Sequence, residues 1–175
     1  MDLRAFIRDI PDFPRPGIVF KDISPLLLDA RAFDAAVDRL AELVTPLKID
    51  LVLAAEARGF ILGGALARQL QAGFIPARRP GKLPHDTIAA EYSLEYGINA
   101  LEVHADALQG GARVLVHDDL LATGGTALAL CELVERLGGQ VPACTFLIEL
   151  SFLKGRQRLA PRPVLAVIDY PNGAE

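Results

Sequence analysis

Two adjacent carboxylates, Asp118 and Asp119, stand at the end of the apolar run Val114-Leu115-Val116-His117 and precede Leu120-Leu121-Ala122-Thr123-Gly124-Gly125-Thr126. The pattern predicts a buried strand, an acidic pair at a turn, a loop of small residues and a helix start. Small residues let a backbone come close to a ligand. The first amides of a helix lack intrahelical acceptors, and the helix dipole adds a field favourable to an anion. The hydroxyls of Thr123 and Thr126 add donors. The carboxylates repel a phosphate, so they belong beside it, accepting hydrogen bonds from neutral hydroxyls. A phosphate next to two vicinal hydroxyls describes a ribose 5-phosphate. An acidic helix N-cap, the plainer alternative, explains neither the paired Asp nor the double Gly. The run has neither the GxxxxGK[ST] of a nucleotide P-loop nor a GxGxxG.

Further groups suited to anions lie upstream. Glu56-Ala57-Arg58-Gly59 follows the apolar run Asp50–Ala55, and Arg58 offers a planar fork for phosphate oxygens, or else a surface ion pair. Residues 78–84 carry Arg78, Arg79 and Lys82 together with Pro80, Gly81 and Pro84. Three cations on such a loop suit a polyphosphate, although a solvated basic loop reads the same way. His85, His104 and His117 show no metal-ligand spacing. His117, at a strand end, reads as a hydrogen-bonded structural histidine. Cys131 and Cys144 lie in apolar surroundings without CxxC spacing, and read as buried thiols of core packing.

These groups need a scaffold, and the rest of the chain supplies one. Residues 2–10 predict a short helix, and residues 11–25, with four prolines, an irregular and rigid segment. Asp29 is placed to cap a helix over 31–45, where Phe33, Ala36, Val37, Leu40 and Val44 recur at helical spacing. Strands are expected at 50–55, 73–77, 113–117, 141–149 and 164–168. Helices are expected after Glu56-Ala57-Arg58-Gly59 to about Gln71, over 126–137 and over 152–159. In residues 87–96 Ile88, Ala90, Tyr92, Leu94 and Tyr96 alternate with polar residues, a two-faced arm with Leu101–His104 as partner. Strands alternating with helices imply an α/β fold with a mostly parallel sheet, whose ligands bind at the carboxyl ends of the strands. The 175 residues suffice for one domain, 1–175. A net charge of −4 argues against nucleic acid as a partner. No apolar stretch is long enough to span a membrane, no signal-peptide layout opens the chain, and a cytoplasmic location is expected.

The thirteen residues Val114–Thr126 resemble the ribose-phosphate signature of the type I phosphoribosyltransferases. Within that group the chain is similar to the adenine-specific family, through Asp12-Phe13-Pro14, Pro16–Pro25, Glu56–Phe60, Arg79–Pro84 and Tyr92–Gly97 in matching order from about residue 3 to 160. The resemblance implies the family's fold, with a small base-binding hood (11–25) and a flexible lid arm (80–104). It implies transfer of a phosphoribosyl group from phosphoribosyl pyrophosphate (PRPP) to adenine, giving AMP and pyrophosphate with Mg²⁺. By the same resemblance Ala122, Thr123, Gly124, Gly125 and Thr126 hold the 5-phosphate, and Asp118 and Asp119 the ribose hydroxyls. Arg58, Lys82 and Arg78 serve pyrophosphate, and Arg78 reaches a neighbouring subunit in a homodimer. Val19, Phe20 and Lys21 meet adenine, the first and last through backbone, and Glu95 is the general acid/base. Arg58 is the second catalytic residue. The Glu56–Ala57 peptide is expected to be cis. No protein side chain is expected to ligate Mg²⁺ directly, with Asp118 nearby. Lys21 stands where arginine is common in relatives, and His117 where an apolar residue is usual. Rival readings are a related enzyme acting on another base, a non-catalytic PRPP sensor and a generic phosphosugar-binding protein.

Overall fold

In this computed structural model the described residues are 1–94 and 97–173, with side chains left aside at 93–98. Five apolar strands build a parallel sheet: β3 (Leu51–Ala55), β4 (Gly73–Ala77), β7 (Val114–Leu121), β8 (Cys144–Glu149) and β9 (Val164–Asp169), in the order β4-β3-β7-β8-β9. Strands so rich in Val, Leu, Ile and Ala are those that bury both faces. One face carries α2 (Ala30–Val44) and α3 (Arg58–Gln69), which enclose Leu40, Leu62 and Leu66 against Val52, Leu115 and Leu147. Asp29 caps α2 as expected, accepting from the amides of Arg31 and Ala32 at 3.0 and 2.9 Å. The other face carries α4 (Gly125–Arg136), whose Leu130, Leu133 and Val134 pack with Val114, Val116 and Phe146.

The arm of 87–104 is a hairpin, β5 (Thr87–Leu94) with β6 (Gly97–His104), in register from Thr87↔His104 to Leu94↔Gly97. Its inner half is part of the core. Ala90, Leu101 and Val103 are buried in the α4 cluster, with Ile88 and Tyr92 packed against it. The predicted alternation therefore has its physical cause in one apolar face turned onto α4.

Three expectations need correction. Residues 2–10 hold only a 3-10 turn, Leu3–Phe6, before the chain becomes β1 (Arg8–Pro11). The proline-rich segment is less irregular than its composition suggests, since β2 (Val19–Asp22) pairs antiparallel with β1 and α1 (Ser24–Leu28) follows. Pro14 and Pro16 sit in the connection, where Phe13–Pro14 is cis and Gly17 has φ +84°, while Pro11 ends β1 and Pro25 lies in the first turn of α1. There the Gly17 amide donates to Asp12 Oδ1 at 2.8 Å. Third, the acidic pair does not begin the turn. Strand β7 continues through Asp118 and Asp119 to Leu121, because β8 pairs along it, with Asp118 opposite Phe146 and Leu121 opposite Glu149.

Candidate functional site

The carboxyl ends of β3 and β7 meet under the arm. Between them lies a cleft of about 570 Å³ lined by Ala55–Arg58, Arg79 and Pro80, by Glu91, Tyr92 and Asn99–Leu101 of the arm, and by Asp118, Asp119 and Thr126. A second cavity of about 150 Å³ opens beside it, bounded by Leu120–Ala127 and Phe146, and shares Asp118 and Thr126 with the first. Ala122–Gly125 wrap this smaller cavity before α4 begins, and Gly124 takes φ +82°, a conformation that favours glycine. The first amides of α4 face it without intrahelical acceptors, so the cavity has the geometry of an anion site.

The acidic pair is held from below. Asp118 Oδ1 accepts the Asp119 amide at 2.9 Å. A Cβ at Gly59 would lie 2.8 Å from that same oxygen, so a glycine at the second position of α3 is a condition for the Asp118 carboxylate to lie where it does. Asp119 is almost fully enclosed, with Oδ2 2.9 Å from Arg58 Nε, an ion pair whose geometry is off the line of a hydrogen bond. Burial raises the Asp118 carboxyl well above its usual range, and the neighbouring Asp119 charge raises it further. Burial also raises Asp119, with Arg58 opposing. The site thus keeps two carboxylates together in a place that resists their charge, offset mainly by one guanidinium.

Arg58 itself bridges two regions. Its guanidinium lies 4.8 Å from the centroid of the Phe20 ring while its Nε contacts Asp119. Phe20 in turn stands edge-on to Phe13 at 5.2 Å. The β1–β2 hairpin is thereby brought to the rim of the cleft. Lys21 turns away from it: its side chain is 3% exposed, with Nζ 2.8 Å from Asp9 Oδ1 and 4.0 Å from the centroid of the Tyr170 ring.

The peptide Glu56–Ala57 is cis, as expected. Glu56 Oε1 accepts the Arg79 amide at 2.5 Å, which lowers its carboxyl below the ordinary range, and Oε2 contacts Arg78 Nη2 at 3.3 Å. Arg78 also donates to the Lys82 carbonyl at 3.3 Å, so it folds onto its own loop. Lys82 is exposed, and neither it nor Arg78 lines the cleft among the described residues; Arg79 does. Three loop cations were visible in the sequence, but nothing in their spacing says which one points inward. Glu91 and Asn99 are arm residues that sequence reasoning missed; Glu91 fell in the polar phase of the alternation, and Asn99 lay beyond it with no signal of its own. Glu95 lies outside the described residues.

Behind the acids His117 is buried, with Nδ1 3.2 Å from Thr145 Oγ1 and Nε2 without a partner. Burial lowers its pKa to about 4, so the ring is neutral. The two cysteines are both buried and unbonded, yet their sulfurs lie 3.5 Å apart between α4 and β8, a proximity no sequence spacing suggested. No group of three or more His, Cys, Asp or Glu suited to a metal occurs among the described residues. Nor is any described helix long and apolar enough to cross a membrane.

A strand-end acidic pair, a loop of small residues before a helix start and a hairpin over the cleft, all on a parallel sheet, make up the plan of a phosphoribosyltransferase. The model of the phosphoribosyl transferase domain matches residues 26–164. An adenine phosphoribosyltransferase of Thermotoga neapolitana is 56% identical over 170 residues, covering 97% of this chain and 100% of that protein. A crystal structure of adenine phosphoribosyltransferase from Thermoanaerobacter pseudethanolicus superimposes with a TM-score of 0.94 at 50% identity, covering 96% of this chain and 98% of that one. The Saccharomyces cerevisiae enzyme, solved with an imino-altritol bisphosphate and adenine, gives 0.89 at 38% identity over 94% and 96% of the two chains. The chain belongs to the adenine phosphoribosyltransferase family.

Proposed function

We propose that this protein transfers the 5-phosphoribosyl group of PRPP to adenine, releasing AMP and pyrophosphate. The observation that carries the reading is the pair of contiguous cavities sharing Asp118 and Thr126. The small one suits a 5-phosphate, cradled by Ala122, Thr123, Gly124, Gly125 and Thr126. The large one leaves room for the ribose, the pyrophosphate and a purine. Asp118 and Asp119 accept hydrogen bonds from the ribose 2- and 3-hydroxyls and offset positive charge that develops on the ring as the bond from C1 to pyrophosphate breaks. Arg58 neutralises the leaving group, with Arg79 from the cleft wall and Lys82 and Arg78 on the adjoining loop. Adenine meets the Phe20 ring and the backbone of Val19 and Lys21. Its N9 bonds to C1, and Glu95 manages the protons of the imidazole edge. Such an acid/base contributes about 10²–10⁴-fold. The arm covers the reacting centre, which keeps water from intercepting a cationic sugar.

Mg²⁺ fits this donor set only as a companion of the substrate. Two carboxylates, one already engaged by Arg58, are too few for a cage of protein ligands, so the ion would be held largely by oxygens of PRPP and water, with Asp118 nearby. When bound, it supplies charge neutralisation at the pyrophosphate. We further propose a cytoplasmic homodimer acting on small molecules, without a nucleic-acid or membrane partner. The net charge of −4 supports the exclusion of nucleic acid.

Following AMP formation from adenine, PRPP and Mg²⁺ tests the reading, with hypoxanthine and orotate as competing bases. Wild type is expected to form AMP, and Glu95→Ala to lose about 10²-fold or more in kcat. Tight PRPP binding without turnover of any base would sink the enzymatic reading in favour of a sensor.

A further inference from the structure

The cradle of residues 122–126 does not hold itself. The start of α5 (Gly155–Leu159) is pressed against its outer side. Gly155 is buried, and a Cβ there would overlap the Ala122 carbonyl oxygen. It would also lie 3.1 Å from the Gly124 amide nitrogen and 3.0 Å from Leu121 Cδ1. The contact is reciprocal, since a Cβ on Gly124 would stand 2.8 Å from the Gly155 carbonyl oxygen. Two backbones therefore meet with no side chain between them, the kind of approach only glycine allows.

The pressing element is itself anchored. Arg156, next in the chain, makes a two-pronged pair with Glu149 at the end of β8, Nε to Oε1 at 3.0 Å and Nη2 to Oε2 at 2.5 Å. Its Nη1 donates to the Val164 carbonyl at 2.6 Å. Leu159 is fully buried in the α4 cluster. Before it, Lys154 takes φ +58°, which turns the chain from the 3-10 segment Ser151–Leu153 into α5. The start of α5 is thus fixed to the sheet on which the cradle is built.

We propose that Gly155 is a positioning residue for phosphate recognition: it sets the depth of the Ala122–Thr126 cradle, with the Arg156–Glu149 pair holding it in place. It touches no substrate. The inference rests on the reading of that cradle as the 5-phosphate site. A methyl group at position 155 must displace the Ala122 carbonyl by about 1 Å to restore an ordinary carbon–oxygen contact, and misplacement of that size in a binding site costs roughly 10- to 100-fold.

The test is Gly155→Ala in the full chain, with Gly64→Ala as control, because a Cβ on Gly64 meets nothing within 4 Å. Ribose 5-phosphate and pyrophosphate are titrated separately by calorimetry, and KM and kcat are measured for both substrates. Expected for Gly155→Ala is about a tenfold or greater loss in ribose 5-phosphate affinity and a matching rise in KM for PRPP. Pyrophosphate affinity, KM for adenine and kcat should stay within about threefold, and Gly64→Ala should match wild type. A folded Gly155→Ala protein with wild-type ribose 5-phosphate affinity overturns the brace, as does an equal loss for both ligands. A wild-type protein that fails to bind ribose 5-phosphate removes the phosphate-site reading and the brace with it. Should Gly155→Ala not fold, Glu149→Gln/Arg156→Gln leaves Gly155 in place and frees its anchor. The same selective loss there supports the proposal, and its absence overturns it.

Discussion

Acidification should weaken this fold through one ring, His117, whose surroundings allow the size of the effect to be worked out. The imidazole is buried in β7 between β3 and β8, with Thr145 Oγ1 at 3.2 Å on Nδ1 and no partner on Nε2. Burial disfavours its charged form and lowers its pKa from 6.5 to about 4. In the unfolded chain the ring takes up a proton near its ordinary value, so below about pH 6.5 the unfolded state binds more protons than the folded one. Stability is fully present above that value and is lost as pH falls, until the folded ring also titrates near 4. Each unit of separation corresponds to about 1.4 kcal/mol, so the loss between about pH 8 and pH 5 comes to about 2 kcal/mol. The comparison is wild type against His117→Leu, by urea unfolding at a series of pH values. The variant should be less stable at neutral pH, having lost the Thr145 contact, and the gap should close by about 2 kcal/mol on acidification. Carboxylates titrate in both proteins and largely cancel in the difference. Parallel stability–pH curves would refute the reasoning, and so would an NMR titration placing the folded imidazole near 6.5.

Two other consequences follow from the same packing. Asp118→Asn should raise the urea midpoint at neutral pH, because the folded carboxyl is raised by burial and the Asp119 charge. The gain should shrink as pH falls from the raised folded value to the ordinary carboxylate value, while ribose 5-phosphate affinity drops about tenfold or more with the loss of a charged acceptor. Leu130→Ala, in the fully buried face of α4, should cost about 2–5 kcal/mol by thermal unfolding and leave KM for PRPP in the surviving folded protein within about threefold.

What was legible in the sequence is what chemistry or periodicity imposes locally. The run from Val114 to Thr126 had to alternate between core, acids and bare backbone, and that order survives in one chain segment. Helix α2 announced itself by its cap and its 3.6-residue spacing. The limits of β7 were not local: Asp118 and Asp119 look like turn residues, and only the pairing of β8 alongside makes them strand. The hood was misread for the converse reason, since its prolines conceal a hairpin: Pro14 and Pro16 fall in the connection, Pro11 ends β1 and Pro25 lies beyond in α1. Arg58 shows most clearly why the rest had to wait for the fold. From sequence it is a fork for phosphate, and nothing in its neighbours says what it touches. The fold sets Asp119, sixty-one positions ahead, on one side of it and Phe20 on the other. Since Asp119 resists its own charge by burial and Arg58 is what offsets it, a ligand that draws Arg58 away must also give Asp119 something to accept from. A ribose bearing both a leaving pyrophosphate and free hydroxyls does both at once, whereas pyrophosphate alone does only the first. Affinity for the complete substrate should therefore exceed what its two ends provide separately.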